Sequence, residues 1–161
     1  MQATVLKKSK SSSEELAREV LTLFSYLFSQ SAPDFFRALS EADVTLTQVK
    51  LLHVLDRPGA DQSLKDLAEE MSFSLAGVSR SIDALHQRGL VERREDEKDR
   101  RIKRVRITGE GREFLRGLNE MRVALLSQFV QDIPDDQRRA LLDALSPIVE
   151  REEIAAFRPE A

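Results

Sequence analysis

Between Arg93 and Arg106 the chain places eight cationic side chains in fourteen residues: Arg93, Arg94, Lys98, Arg100, Arg101, Lys103, Arg104 and Arg106. Four carboxylates, Glu95, Asp96, Glu97 and Asp99, interrupt the run. That alternation describes ion pairs and oriented guanidinium groups rather than a polybasic tail. The chemistry it suits is phosphate neutralisation, with an arginine on a projecting loop entering the narrow, negative minor groove of A·T-rich duplex. Ahead of this run, Ser74, Ala76, Gly77, Ser81 and Ala84 offer small or hydroxylated side chains on the same outward face as Arg80. A helix with such a face can bring its backbone close to base edges, its N-terminus can accept a phosphate, and Arg80 can meet guanine bidentately. Taken alone, Arg80 reads equally as a solvated arginine on a surface helix.

Other chemistries have little to work with. The two histidines, His53 and His86, stand apart from any useful cluster of carboxylates, and no glycine-rich phosphate loop is present. Asp96, Glu97 and Asp99 resemble a metal cluster only if the cations around them are ignored, and are better read as their partners. No catalysis, metal or cofactor is therefore expected. The chain has no cysteine, which closes disulfide, thiolate-metal and thiol-redox routes. A total charge of -3 hides a local +4 over residues 72–108, where ten Lys and Arg face six Asp and Glu. A basic segment thus sits on an acidic body. The first fifteen residues lack the apolar run of a signal peptide and no stretch approaches a membrane span, so a cytoplasmic location is expected.

The elements that must position these groups are read from caps and spacing. Ser12 with Glu15 forms a capping box ahead of Leu16, Val20, Leu23, Phe24, Leu27 and Phe28, a first helix that Pro33 should end. Thr45 with Gln48 opens a second, short helix closed by Arg57, Pro58 and Gly59, and Ser63 caps a third carrying Leu64, Leu67, Ala68 and Met71. Leu75, Val78, Ile82 and Leu85 then give the core stripe of a fourth, ended by Gly89. Residues 90–93 and 103–108 read as the strands of a two-stranded hairpin with a charged tip. Two further helices, 109–131 and 135–153, follow. The third and fourth helices have helix-turn-helix spacing, with Ser72 where a glycine is usual in the turn. The fold expected is mainly α with a small β-hairpin wing: a first helix over 1–40, a winged helix-turn-helix domain over 41–108 and C-terminal helices over 109–161.

From about Leu46 through Gly111 the sequence resembles the MarR family of transcription regulators. The resemblance rests on Leu46-Thr47-Gln48, Leu64-Lys65-Asp66-Leu67-Ala68, Val78-Ser79-Arg80 and Gly89-Leu90-Val91-Glu92-Arg93. Two later runs complete it, Asp96-Glu97-Lys98-Asp99-Arg100-Arg101 and Ile107-Thr108-Gly109-Glu110-Gly111. It implies a homodimer whose N- and C-terminal helices interlock, binding double-stranded DNA at an inverted repeat as a repressor. On the matched positions the recognition helix spans 74–88, with Ser74, Ala76, Gly77, Ser79, Arg80 and Ser81 toward DNA. Lys98, Arg100 and Arg101 occupy the wing, with Arg101 in the minor groove and Asp99 orienting it. Glu97 and Lys98 stand where the family often has proline or glycine.

Many relatives respond to small aromatic or phenolic ligands between the dimer helices and the winged domain. Phe24, Phe28, Lys50 and His53 are candidate contacts for such a ligand. Aromatics at helical spacing, including Tyr26, Phe35 and Phe36, also read as core, and His53 as a satisfied buried histidine. The reading that competes with DNA binding is a winged-helix module making protein contacts in a larger assembly.

Overall fold

The computed structural model describes residues 2–57, 61–96, 103–155 and 157, with side chains from Ser12 onward. Helix α1 runs over Gln2–Glu41. Ser12 therefore lies mid-helix and caps nothing, and Pro33 does not end the helix. Its ring costs one backbone hydrogen bond, about 3 kcal/mol in a helix interior. Continuing past it places Phe35 and Leu39, 6% and 5% exposed, in the core, and that burial offsets the cost.

The next three helices are set by local caps. Helix α2, Leu46–Leu55, starts from the Thr45 box, in which the Thr45 N–H donates to Gln48 Oε1 at 2.7 Å and the Gln48 N–H to Thr45 Oγ1 at 3.3 Å. Gln48 can be buried because the box satisfies it. Strand β1, Gln62–Ser63, precedes α3, Leu64–Met71, whose cap Ser63 is paired reciprocally with Asp66. These bonds hold the Asp66 carboxyl below the usual carboxylate range. Ser72 turns the chain in the left-handed conformation, φ 56°, and Ser74 caps α4, Leu75–Gln87, by accepting from the Gly77 N–H at 3.1 Å. Gly89, φ 74°, ends that turn.

Strands β2, Val91–Glu95, and β3, Lys103–Ile107, pair antiparallel, Val91 opposite Ile107 and Arg93 opposite Val105. The sheet has a third member that the two-stranded reading lacked. Residues Gln62 and Ser63 of β1 pair with Val105 and Arg104 on the far edge of β3, giving the order β1-β3-β2. Two residues are too short for alternation to announce a strand. Helix α5, Gly109–Gln131, is capped by Thr108, which also donates to the Gly89 carbonyl at 2.6 Å and so fixes the helix start to the end of α4. Helix α6, Asp135–Val149, stops short of the expected 153, and a four-residue turn α7, Glu152–Ala155, takes up the remainder.

The fold is thus mostly helical with a small antiparallel sheet, as expected. Its core gathers α2, α3, α4, the sheet and the first half of α5 around Leu51, Leu52, Leu67, Val78, Ile82, Leu85 and Val105, all at 0% exposure. Helix α6 buries no residue, and α1 leaves Leu16, Val20, Leu21 and Phe24 exposed. No described helix is long and apolar enough to cross a membrane.

Where α5 starts, the packing leaves no space for a side chain. A methyl at Gly111 would lie 2.3 Å from the Leu90 carbonyl oxygen and 2.6 Å from Ile107 Cγ1. Gly111→Ala should lower stability by about 1–3 kcal/mol in urea denaturation. Gly117→Ala, in open space on the same helix, should raise it by about 0.5–1 kcal/mol. Equal midpoints for the two variants would contradict this packing.

Candidate nucleic-acid interface

Helix α4 is held by three residues, Val78, Ile82 and Leu85, each fully buried. Opposite them Ala76 and Arg80 are exposed, with Gly77, Ser79, Ser81 and Ala84 half-buried along the flanks and Ser74 exposed at the cap. The small face expected around Arg80 is therefore present. Gly77 serves the cap as well as the approach, since a methyl there would stand 3.1 Å from Ser74 Oγ. One member of the expected core stripe is misplaced. Leu75 is 54% exposed, because it sits in the first turn, where the helix has no packed partner on that side to cover it.

The sheet is basic on paper, but its charge is largely spent internally. Arg94 pairs with Asp61, Arg104 with Asp96 and Arg106 with Glu92, while Lys103 meets Glu95 at 3.0 Å. Arg104 Nη1 also donates to the Asp61 carbonyl at 2.6 Å, tying β3 to the segment before β1. Arg93 reaches across to Asp83 of α4 at 2.6 Å. Its N–H groups lie off line, so attraction of charge rather than a hydrogen bond links β2 to that helix. Arg57 pairs with Glu70, Arg88 with Asp43, and Arg112 with Asp56 at 3.1 Å. Of the eight described arginines between residues 42 and 112, Arg80 alone has no carboxylate partner. An unpaired guanidinium on the small face of α4 is the group free to meet an external acceptor.

Sequence reasoning saw the pairing of Glu95 and Asp96 with neighbouring cations but missed Asp61 and Asp83, which are distant in sequence from their arginines. Lys98, Asp99, Arg100 and Arg101 lie outside the described residues. The candidate ligand contacts are dispersed over two helices. Phe24 and Phe28 stack on α1 with ring centroids 6.0 Å apart, both more than half exposed, and Lys50 and His53 are exposed on α2. The core reading of the aromatics holds for Phe35; Tyr26 and Phe36 are exposed. A cleft of about 210 Å³ lies between α1 and α5 beside Phe35, Arg122 and Leu125, and none of the four residues lines it. Arg122 stands 4.5 Å from the centre of the Phe35 ring.

Residues 42–102 match the profile of the MarR family. Similarity to known proteins extends beyond that segment. The HTH-type transcriptional regulator YfiV of Bacillus subtilis (strain 168) is 29% identical over 143 residues, 89% of this chain and 88% of that protein. Among solved structures, the transcriptional regulator Tm0710 from Thermotoga maritima superposes with a TM-score of 0.70 at 19% identity, over 84% of this chain and 97% of that one. MepR of S. aureus in its DNA complex superposes with a TM-score of 0.62 at 18% identity, over 79% and 93%. At these identities the structures establish the likeness of fold.

Packing around His53 strips water from part of its ring and lowers its pKa, with Arg122 adding in the same direction and Asp56 opposing. The folded imidazole binds its proton less readily than the unfolded one. As pH falls through about 6.5, the ordinary histidine value, the unfolded state is protonated first and stability drops until the folded pKa is passed. His53→Gln should lessen the loss of stability between pH 7.5 and 5.5, read from urea midpoints. An undiminished loss would contradict the assignment.

Proposed function

We propose that this protein binds double-stranded DNA as a homodimer and represses transcription by occupying an inverted repeat. The observation that carries the reading is the free guanidinium of Arg80 on the small-residue face of α4, in a domain whose other described arginines are neutralised by carboxylates. Helix α4 enters the major groove with Ser74, Ala76, Gly77, Ser79 and Ser81 along the contact and Arg80 on guanine O6 and N7. Lys98 and Arg100 meet phosphate, and Arg101, oriented by Asp99, reaches the minor groove. Support comes from the family match and from the likeness of fold to MepR, which is solved bound to DNA.

The dimer is proposed from the apolar faces the single chain leaves in water. Helix α1 exposes Leu16, Val20, Leu23, Phe24 and Phe28, and α6 exposes Leu141, Leu142, Leu145 and Ile148. A stripe of this extent marks an interface, and two-fold pairing of these helices presents two α4 helices to one side of a duplex. A small aromatic or phenolic effector, held near Phe24, Phe28, Lys50 and His53 and acting from the cytoplasm, belongs to the same proposal.

Selection from a random duplex library by the full-length protein at near-physiological salt tests the reading. Enrichment of an inverted repeat with half-sites about one helical turn apart is expected. Failure to enrich any sequence would overturn it and favour a protein-contact role for the winged domain. On the enriched duplex, Arg80→Ala should lose about 1–3 kcal/mol of discrimination at one guanine per half-site, and Arg101→Ala a similar amount at an A·T position. Sedimentation at micromolar concentration should give twice the 18.3 kDa chain mass; a monomer would contradict the dimer.

A further inference from the structure

We infer that Leu75 is a specificity-determining residue that reads the C5-methyl group of thymine in the major groove. This rests on the DNA-binding reading above and extends it to a side chain which the sequence places in the core. The spacing of Leu75 with Val78, Ile82 and Leu85 makes a single apolar stripe, yet the last three are at 0% exposure and Leu75 at 54%. The stripe runs out of the domain body at the leading turn of α4, and its first member is left in water directly beside the Ser74 cap.

What could cover it follows from its neighbours and from base chemistry. Leu75 adjoins Ala76 and lies one turn before Ser79 on the helix that carries the unpaired Arg80. Leu75 lies about 140° round the helix from Arg80, so the two share a groove where α4 enters by its N-terminal end and its first turn meets the groove on more than one side. The groove floor offers hydrogen-bond donors and acceptors at every base pair, none of which an isobutyl group can satisfy, and one apolar group, the thymine methyl. Hydrocarbon contact with that methyl removes both from water.

The test uses a duplex enriched by the full-length protein, with each thymine replaced in turn by deoxyuridine, which removes the methyl and leaves every hydrogen-bonding group. For the wild-type protein, one thymine position in each half-site should be sensitive, and replacing it in a single half-site should weaken binding by about fourfold, the worth of one buried methyl. For Leu75→Ala the same substitution should make no difference, while Leu75→Met should restore the sensitivity. A thermal midpoint of Leu75→Ala close to that of the wild type separates this role from a structural one. If every thymine tolerates deoxyuridine, or if Leu75→Ala keeps the wild-type pattern, the inference is overturned while DNA binding stands. If no duplex is enriched at all, the inference and the reading beneath it fall together.

Discussion

The domain depends on how it disposes of its own positive charge. A short sheet carrying five cations in ten strand residues would repel itself if those charges were left bare. Carboxylates supplied from the segment before β1, from α4 and from the sheet itself neutralise them in place. These pairs are mostly half-exposed and each is worth no more than about 1 kcal/mol, so their consequence is orientation more than stability. Asp61 holds β2 through Arg94 and β3 through its carbonyl, and Asp83 holds β2 against α4. The wing root and that helix become one rigid surface, from which Arg80 is the described arginine left over.

The same arrangement explains why a protein of net charge -3 can be read as a DNA binder. Few cations need be free when a helix delivers them at the correct depth, since phosphate contacts position a protein and base contacts specify its site. The acidic remainder of the chain lies largely in helices that leave apolar side chains such as Leu16, Phe24, Leu142 and Leu145 uncovered.

Much of this was legible in the sequence because it is local. Thr45 with Gln48, Ser63 and Gly89 bound their helices through contacts within a few residues, and the stripe of Val78, Ile82 and Leu85 points inward as its spacing requires. What was misread depends on tertiary surroundings. Pro33 breaks a helix by local rules, but the burial of Phe35 and Leu39 beyond it decides otherwise. Strand β1 exists only because the β3 edge is there to receive it. Leu75 has the spacing of a core residue and lacks the neighbours of one. The roles of Asp61 and Asp83 were out of reach because nothing local couples them to Arg94 and Arg93.

The salt dependence of affinity for the selected duplex tests the central claim most directly. Residues 72–108 hold ten Lys and Arg in each copy, of which Arg88, Arg93, Arg94, Lys103, Arg104 and Arg106 are paired internally. Arg80 is the described cation left over, and the proposed interface adds Lys98, Arg100 and Arg101 to it. If the internal pairs persist in the complex, eight cations per dimer release counterions and log K falls against log salt with a slope of about -7. A slope near -18, as if all twenty cations engaged phosphate, would show that the arginines leave their carboxylates for DNA and that the ion-paired framework is not what orients the interface.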